Sequence, residues 1–126
     1  MDRQKIKILL VEDDSFLLSM YAAKFELEGF AVTVAENGEK GVRLALKELP
    51  DIILLDIILP KLDGFAVLKQ IKINPRTAKI PVILLTNLSQ KDQVEQGLDL
   101  GAVDYLIKAH FMPSEVVEKI KKILGR

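Results

Sequence analysis

The sequence predicts an α/β fold in which a five-stranded parallel sheet is covered by helices on both faces. Short β-branched or Leu-rich runs alternate along the chain with longer stretches whose apolar residues recur every three or four positions, which is typical of repeated strand–helix units. Two of the runs, Asp51–Leu55 and Pro81–Leu85, are apolar at nearly every position. Strands of this kind are buried on both faces, so we expect these two at the centre of the sheet.

The predicted strands follow one another at similar intervals. They are Lys5–Val11, Ala31–Ala35, Asp51–Leu55, Pro81–Leu85 and Asp104–Ile107. The second strand alternates between apolar and polar residues at Val32-Thr33-Val34, which indicates an edge strand. Right-handed crossovers leave few orders for such a sheet, and the flavodoxin-like order 2-1-3-4-5 is the simplest with this edge. Ligands then bind at the carboxyl ends of the strands, beside strands one and three.

Each predicted helix carries an apolar stripe that can cover one face of the sheet. The stripes are Leu17, Met20, Tyr21 and Phe25; Val42, Ala45, Leu46 and Leu49; Val67, Leu68 and Ile71; Val94 and Leu98; and Val116, Val117, Ile120 and Leu124. Gly29 and Gly101 follow the first and fourth helices, and Ser89-Gln90-Lys91-Asp92 resembles a capping box. Pro113 suits a first helical turn.

The composition of the chain limits the classes of function that it can have. A chain of 126 residues fits one domain, here residues 1–126. Lys plus Arg and Asp plus Glu each number 18, so no net charge attracts nucleic acid or an anionic membrane. The absence of Cys excludes thiolate chemistry, and no apolar run reaches the roughly 18 residues of a membrane span. We expect a cytoplasmic protein that binds neither nucleic acid nor membranes directly.

Acidic residues follow the two strands that flank the predicted crevice. Glu12, Asp13 and Asp14 come after strand one, and Asp56 comes after strand three. Carboxylates packed this closely raise one another's pKa and destabilise the fold unless a cation neutralises them. Oxygen ligands without His or Cys suit Mg²⁺ or Mn²⁺. The sequence therefore predicts a divalent metal site at this edge of the sheet.

A hydroxyl and an ammonium follow strands four and five, at Thr86 and Lys108. A cation beside Asp56 would make that carboxylate a workable nucleophile toward phosphorus, because phosphoryl transfer depends on positioning and charge neutralisation. Thr86 can donate a hydrogen bond to one phosphoryl oxygen, and Lys108 can pair with another. We predict that Asp56 accepts a phosphoryl group.

Five motifs together resemble the signatures of the response-regulator receiver domains of two-component signalling, of the chemotaxis-regulator type. They are Val11-Glu12-Asp13-Asp14, Leu54-Leu55-Asp56-Ile57-Ile58-Leu59-Pro60, Leu62-Asp63-Gly64, Leu84-Leu85-Thr86 and Asp104-Tyr105-Leu106-Ile107-Lys108. The resemblance covers essentially the whole chain, and its specificity comes from the order and spacing of the motifs.

The resemblance implies a Mg²⁺ site formed by Asp13, Asp14, Asp56 and the backbone carbonyl of Ile58. It implies that a sensor histidine kinase or a histidine phosphotransfer protein donates the phosphoryl group to Asp56. The chain would be a phosphorylated switch, not an enzyme with a separate substrate, although it would assist its own phosphorylation and dephosphorylation.

The resemblance also implies a switch pair, Thr86 and Tyr105. In the family the hydroxyl residue moves toward the phosphoryl group and the aromatic residue turns inward. This movement reshapes the surface made by helix four, strand five and helix five, where an unidentified output protein would bind.

Several positions depart from the family pattern. Ala109 stands where a Pro is generally joined to the active-site Lys108 by a cis bond, and a non-proline cis bond costs about 2.5–4 kcal/mol. Asn87 is larger than the usual residue after the switch hydroxyl. Ile58 and Leu88 are apolar where other members carry polar groups that position the hydrolytic water, so we expect slow loss of phosphate.

Other interpretations of the same residues remain open at this point. The acidic run could cap a helix N-terminus. His110 suits a surface position, and Lys119, Lys121 and Lys122 suit a solvated face of the fifth helix. A haloacid-dehalogenase-type phosphatase would need an acid at position 58, and a flavodoxin would need hydroxyl and glycine residues after strand one. A receiver used as an unphosphorylated docking module is a further possibility.

Overall fold

A computed structural model describes residues 5–86, 91–108 and 112–125. Within these ranges, strands and helices alternate along the chain. The strands are β1 (Lys7–Val11), β2 (Ala31–Ala35), β3 (Ile52–Asp56), β4 (Val82–Thr86) and β5 (Asp104–Ile107). The helices are α1 (Ser15–Leu27), α2 (Gly38–Glu48), α3 (Gly64–Ile73), α4 (Lys91–Asp99) and α5 (Pro113–Ile123). The predicted α/β alternation is confirmed.

The strands form one parallel sheet in the order β2-β1-β3-β4-β5, as predicted. Every residue of β3 and of β4 is buried, which places these strands at the centre. β2 lies at one edge, where four of its five residues are only partly buried. The strand order reverses between β1 and β3, so the crevice of such a sheet opens at their carboxyl ends.

The sheet divides the core into two layers. Leu10 of β1 lies in one apolar cluster with Phe25 of α1 and Ile120 of α5. The next residue toward the amino end, Leu9, lies in the other cluster with Val67 of α3. Because successive strand residues point to opposite faces, one short apolar strand supports both layers. Burial on both faces holds the carboxyl ends of β1 and β3 in fixed positions.

Two strands, β3 and β4, begin and end one residue later than predicted. Asp56 still pairs with Leu85, and Thr86 pairs with Ile107, so β3 ends at Asp56 and β4 ends at Thr86. The backbone N–H of Ile57 continues the pairing by donating to the carbonyl oxygen of Leu85 at 3.2 Å. The two polar side chains therefore project from the sheet itself and not from the loops beyond it.

Helix α1 differs from its predicted stripe. Its buried residues are Leu18, Tyr21 and Phe25, whereas Met20 is exposed. Phe16 is also exposed, so apolar residues lie on the solvent side as well as the core side, and periodicity alone could not select the buried face.

The residues predicted to begin or end helices have these positions in the described part of the structure. Gly29 and Gly101 adopt φ angles of 91° and 116°, and α5 begins at Pro113. Residues 89 and 90 of the predicted capping box lie outside the described residues. Among the described helices, none has the length and apolar character that crossing a bilayer requires.

Candidate functional site

Asp56 lies at the carboxyl end of a fully buried strand, and only 4% of it is exposed. Its Oδ1 accepts the backbone N–H of Ile58 at 3.2 Å, and its Oδ2 accepts the ammonium of Lys108 at 2.7 Å. Gly64 packs over the same strand end, because a Cβ there would lie 2.3 Å from the Asp56 carbonyl oxygen. The Asp56 carboxylate is therefore held in a defined orientation.

Lys108 lies between two carboxylates. Its Nζ is 2.7 Å from Asp56 Oδ2 and 2.7 Å from Glu12 Oε1. Its backbone N–H donates to the carbonyl oxygen of Thr86 at 2.8 Å, which extends the pairing of β4 with β5. Burial alone would lower the pKa of the ammonium, but the hydrogen bonds to Asp56 and Glu12 outweigh burial and raise that pKa. Lys108 is therefore a fixed positive charge at neutral pH.

Glu12 is completely buried. The side-chain alternation of β1 continues from Ile8 and Leu10 to Glu12, so its carboxylate lies on the α1 and α5 side of the sheet. Its Oε2 accepts the backbone N–H of Asp14 at 3.0 Å. Burial raises the pKa of the Glu12 carboxyl, although the hydrogen bonds from Lys108 and Asp14 act in the opposite direction.

Three carboxylates converge at the crevice. Glu12, Asp13 and Asp56 each offer an oxygen, and these oxygens all lie within 4.8 Å of one another. Asp13 is exposed as a residue, but its carboxyl group is partly shielded from water. This partial burial is the main cause that raises the pKa of the Asp13 carboxyl, and the neighbouring Glu12 raises it further. An oxygen-only donor set of this size fits a hard divalent cation such as Mg²⁺.

Asp14 does not belong to this cluster, in contrast to the predicted ligand set. Its Oδ1 accepts the backbone N–H groups of Phe16 at 2.9 Å and Leu17 at 3.1 Å, so the side chain caps the amino end of α1. A helix leaves its first N–H groups without intrahelical partners, and a capping carboxylate satisfies them. The capping interpretation of the acidic run thus holds for Asp14, and Glu12 takes the third place in the cluster.

The remaining predicted residues lie at the rim and on the neighbouring strands. Ile58 is 57% exposed, whereas Thr86 is buried at the end of β4. Tyr105 pairs with Leu84 and Thr86 pairs with Ile107, so Tyr105 and Thr86 lie on the same face of adjacent strands. Tyr105 is 39% exposed, which leaves its side chain partly turned to solvent.

The basic residues of α5 differ in their surroundings. Lys119 pairs with Asp104 at 2.7 Å and so links α5 to β5, whereas Lys121 and Lys122 are exposed, as expected for a solvated face. The positions that lie outside the described residues are Asn87, Leu88, Ala109 and His110.

A parallel α/β sheet that presents an acidic cluster, a buried hydroxyl and a lysine at one edge is the arrangement that a phospho-accepting signalling domain requires. The model of the response regulator receiver domain family matches residues 8–121. The chain belongs to this family and is a receiver domain of the two-component type. This membership removes the phosphatase and flavodoxin alternatives.

Relatives and solved structures agree with this assignment. The DNA-binding transcriptional regulator RpaA of Synechocystis is 40% identical over 120 residues, which are 95% of this chain and 49% of RpaA. A putative response regulator from Chloroflexus aurantiacus superposes with a TM-score of 0.90 at 32% identity, covering 98% of this chain and 100% of the other.

A second solved structure carries a metal. The receiver domain of a sensor histidine kinase from Pseudomonas aeruginosa, with a magnesium ion coordinated in its active site cleft, has a TM-score of 0.88 at 31% identity and covers 98% of this chain and 100% of its own. The chain spans about half the length of the curated relatives it matches first.

Proposed function

We propose that residues 1–126 act as one receiver domain that takes a phosphoryl group onto Asp56 in a Mg²⁺-dependent reaction. The observation that carries this proposal is the environment of the Asp56 carboxylate. It lies at the crevice floor, bonded to the ammonium of Lys108 at 2.7 Å and within 4.8 Å of the carboxylate oxygens of Glu12 and Asp13. Such a group can act as the nucleophile once the surrounding negative charge is neutralised.

Asp13 and Asp56 would hold the Mg²⁺ ion, and the backbone carbonyl of Ile58 would be a further ligand. The ion would supply neutralisation of the negative charge shared by the carboxylates and the incoming phosphoryl group. The magnesium ion in the Pseudomonas receiver domain supports this choice of metal. Lys108, already at the Asp56 carboxylate, would pair with one phosphoryl oxygen, and the hydroxyl of Thr86 would donate to another.

The partners follow from the same chemistry. A sensor histidine kinase or a histidine phosphotransfer protein would donate the phosphoryl group, and an output protein would bind the surface of α4, β5 and α5. Tyr105 contributes to that surface, because it is partly exposed on β5 beside the strand that carries Thr86. The equal numbers of acidic and basic residues, 18 each, support an output through protein contacts and not through direct binding of nucleic acid by this chain.

Intact-mass measurement tests the proposal. Incubation of the purified chain with acetyl phosphate and Mg²⁺ should add one phosphoryl group per molecule, and the addition should be lost when EDTA removes the metal. A folded protein that gains no mass with Mg²⁺ present would contradict the proposed function.

The phosphorylated form should lose its phosphoryl group slowly, because the exposed side chain of Ile58 at the rim has no polar atom to position a water molecule. Ile58→Asn should accelerate this loss on the order of 10-fold, less than the roughly 10²–10⁴-fold contribution of a full general acid or base. Ile73→Asn is the matched control, since Ile73 is also exposed but lies at the end of α3. Equal decay rates for all three proteins would show that position 58 does not control hydrolysis.

A further inference from the structure

We propose that Gly38, in the first turn of α2, is a positioning residue for the metal site. Because it has no side chain, it lets the backbone of Leu62 pack directly on α2, and this contact fixes the loop that carries the Ile58 carbonyl. This role rests on the proposed function, since it concerns how the Mg²⁺ site of that function is held.

The β3–α3 loop, residues 57–63, lies against the first turn of α2. Gly38 is buried, and a Cβ at this position would overlap the Leu62 carbonyl oxygen and lie 2.8 Å from the Leu62 carbonyl carbon. These are backbone atoms, so a change of rotamer could not make room for a side chain, and the loop or the helix would have to move. Only glycine lets the two backbones approach this closely.

The β3–α3 loop is closed on itself by hydrogen bonds. The backbone N–H of Gly64 donates to the carbonyl oxygen of Ile57 at 2.8 Å, and the N–H of Leu62 donates to the carbonyl oxygen of Pro60 at 2.8 Å. Lys61 adopts a φ of 69°, a conformation that is uncommon for a residue with a side chain. A loop held in this way moves as a unit, so a shift at Leu62 also displaces the start of the loop.

Ile58 lies near the start of this loop and serves the site in two ways. Its backbone carbonyl is a proposed ligand of Mg²⁺, and its backbone N–H donates to Asp56 Oδ1 at 3.2 Å. A displaced loop would move the carbonyl and weaken the hydrogen bond that orients the carboxylate. Mg²⁺ demands near-ideal octahedral geometry, so its affinity is sensitive to such a displacement.

The first turn of α2 also packs on the strand that leads to the other side of the site. A Cβ at Gly41 would lie 3.0 Å from Cγ1 of Val11, the last residue of β1. Asp13 follows Val11 by two residues. The first turn of α2 therefore contacts both the end of β1 and the β3–α3 loop, and it sets the spacing between the ligands that each supplies.

Gly38→Ala tests this role. The added Cβ should displace the loop, so the dissociation constant of Mg²⁺, measured by isothermal titration calorimetry, should rise on the order of 10-fold, as for the loss of a contact that orients a metal ligand. In the metal-free protein, the amide hydrogens of Leu62 and Gly64 should exchange faster than in the wild type.

Ile120→Val is the control for a loss of stability alone. Ile120 lies in the core cluster on the other face of the sheet from the α2 residue Ala45. Removal of one methylene there should lower the melting temperature. The Mg²⁺ affinity and the hydrogen exchange of the β3–α3 loop should stay as in the wild type.

Asn37→Ala loosens the same turn without a steric overlap. Asn37 Oδ1 caps α2 by accepting the backbone N–H of Lys40 at 2.9 Å, and loss of this cap should fray the first turn. The Mg²⁺ affinity should fall again, by less than in Gly38→Ala, because no backbone is forced aside. This variant decides the question if Gly38→Ala does not fold.

Unchanged Mg²⁺ affinity and loop exchange in folded Gly38→Ala would overturn the inference. Unchanged affinity in Asn37→Ala would do so if Gly38→Ala does not fold. Equal losses of affinity in Gly38→Ala and Ile120→Val would assign the effect to lower stability and not to positioning. A wild-type chain that binds no Mg²⁺ and gains no phosphoryl group would instead contradict the proposed function, so the two failures are distinguishable.

Discussion

Asp56→Asn should abolish covalent incorporation of phosphate while the chain keeps its fold. The amide preserves the shape of the side chain and an oxygen that can accept the Ile58 N–H, but it lacks the carboxylate nucleophile. Lys108 still has Glu12 as an ionic partner, so the substitution leaves no unpaired ammonium. Intact mass after incubation with acetyl phosphate and Mg²⁺ should therefore show no phosphorylated species.

Asp63→Asn is the matched control for this substitution. Asp63 lies in the loop between β3 and α3, where its Oδ1 caps α3 by accepting the Ala66 N–H at 2.9 Å. Asn is as good a capping residue as Asp, so this variant should be phosphorylated like the wild type. Equal labelling of Asp56→Asn and Asp63→Asn would place the acceptor on another residue.

Most of the fold could be predicted because local patterns and general rules agree. The continuous apolar runs of β3 and β4 predict central strands, and the handedness of crossovers then restricts the strand order. The strand ends were missed by one residue. Asp and Thr are poor guides to strand continuation, and the pairing of Asp56 with Leu85 depends on a neighbouring strand that a local pattern does not contain.

The positions of the candidate site residues could be predicted where topology decides them, and less well where side-chain direction decides them. Asp56, Thr86 and Lys108 follow from strand ends that share one edge. The choice between Glu12 and Asp14 depends on which carboxylate turns inward. Two signals in the sequence pointed to Glu12: it continues the inward alternation of β1, and Asp14 stands at the capping position before Ser15. The direct ion pair between Glu12 and Lys108 joins residues far apart in the chain, and no local pattern predicts it.

Mg²⁺ should stabilise the protein against unfolding. It binds the folded crevice and not the dispersed carboxylates of the unfolded chain, so a concentration 100 times its dissociation constant should add about 2.7 kcal/mol. For a chain of 126 residues this corresponds to roughly 10 °C in melting temperature. Thermal melts with Mg²⁺ and with EDTA measure the shift, and Asp99→Asn, at an exposed position in α4, should leave it intact.

Removal of one carboxylate should relieve part of the repulsion among the carboxylates of the crevice when no metal is present. Asp13→Asn should raise the metal-free melting temperature by an amount equivalent to at most about 1 kcal/mol, because Asp13 is exposed and solvent screens its charge. Asp56→Asn should stabilise less than its charge alone suggests, since it also removes an ion pair with Lys108. The Asp13→Asn variant should lose most of the Mg²⁺-dependent shift.

The pH dependence follows from the raised pKa values of the Glu12 and Asp13 carboxyls. Burial is the main cause at both, and Glu12 adds to the shift at Asp13. A carboxyl whose pKa is higher in the folded state binds its proton more tightly there, so its destabilising effect is full at neutral pH. That effect shrinks as pH falls through the raised pKa, and it disappears below the ordinary pKa of the unfolded chain. The difference in melting temperature between wild type and Asp13→Asn should therefore narrow on acidification. If Mg²⁺ gives no stabilisation and Asp13→Asn is less stable than wild type, the Asp13 carboxylate has a structural role. The proposal of a metal site is then contradicted.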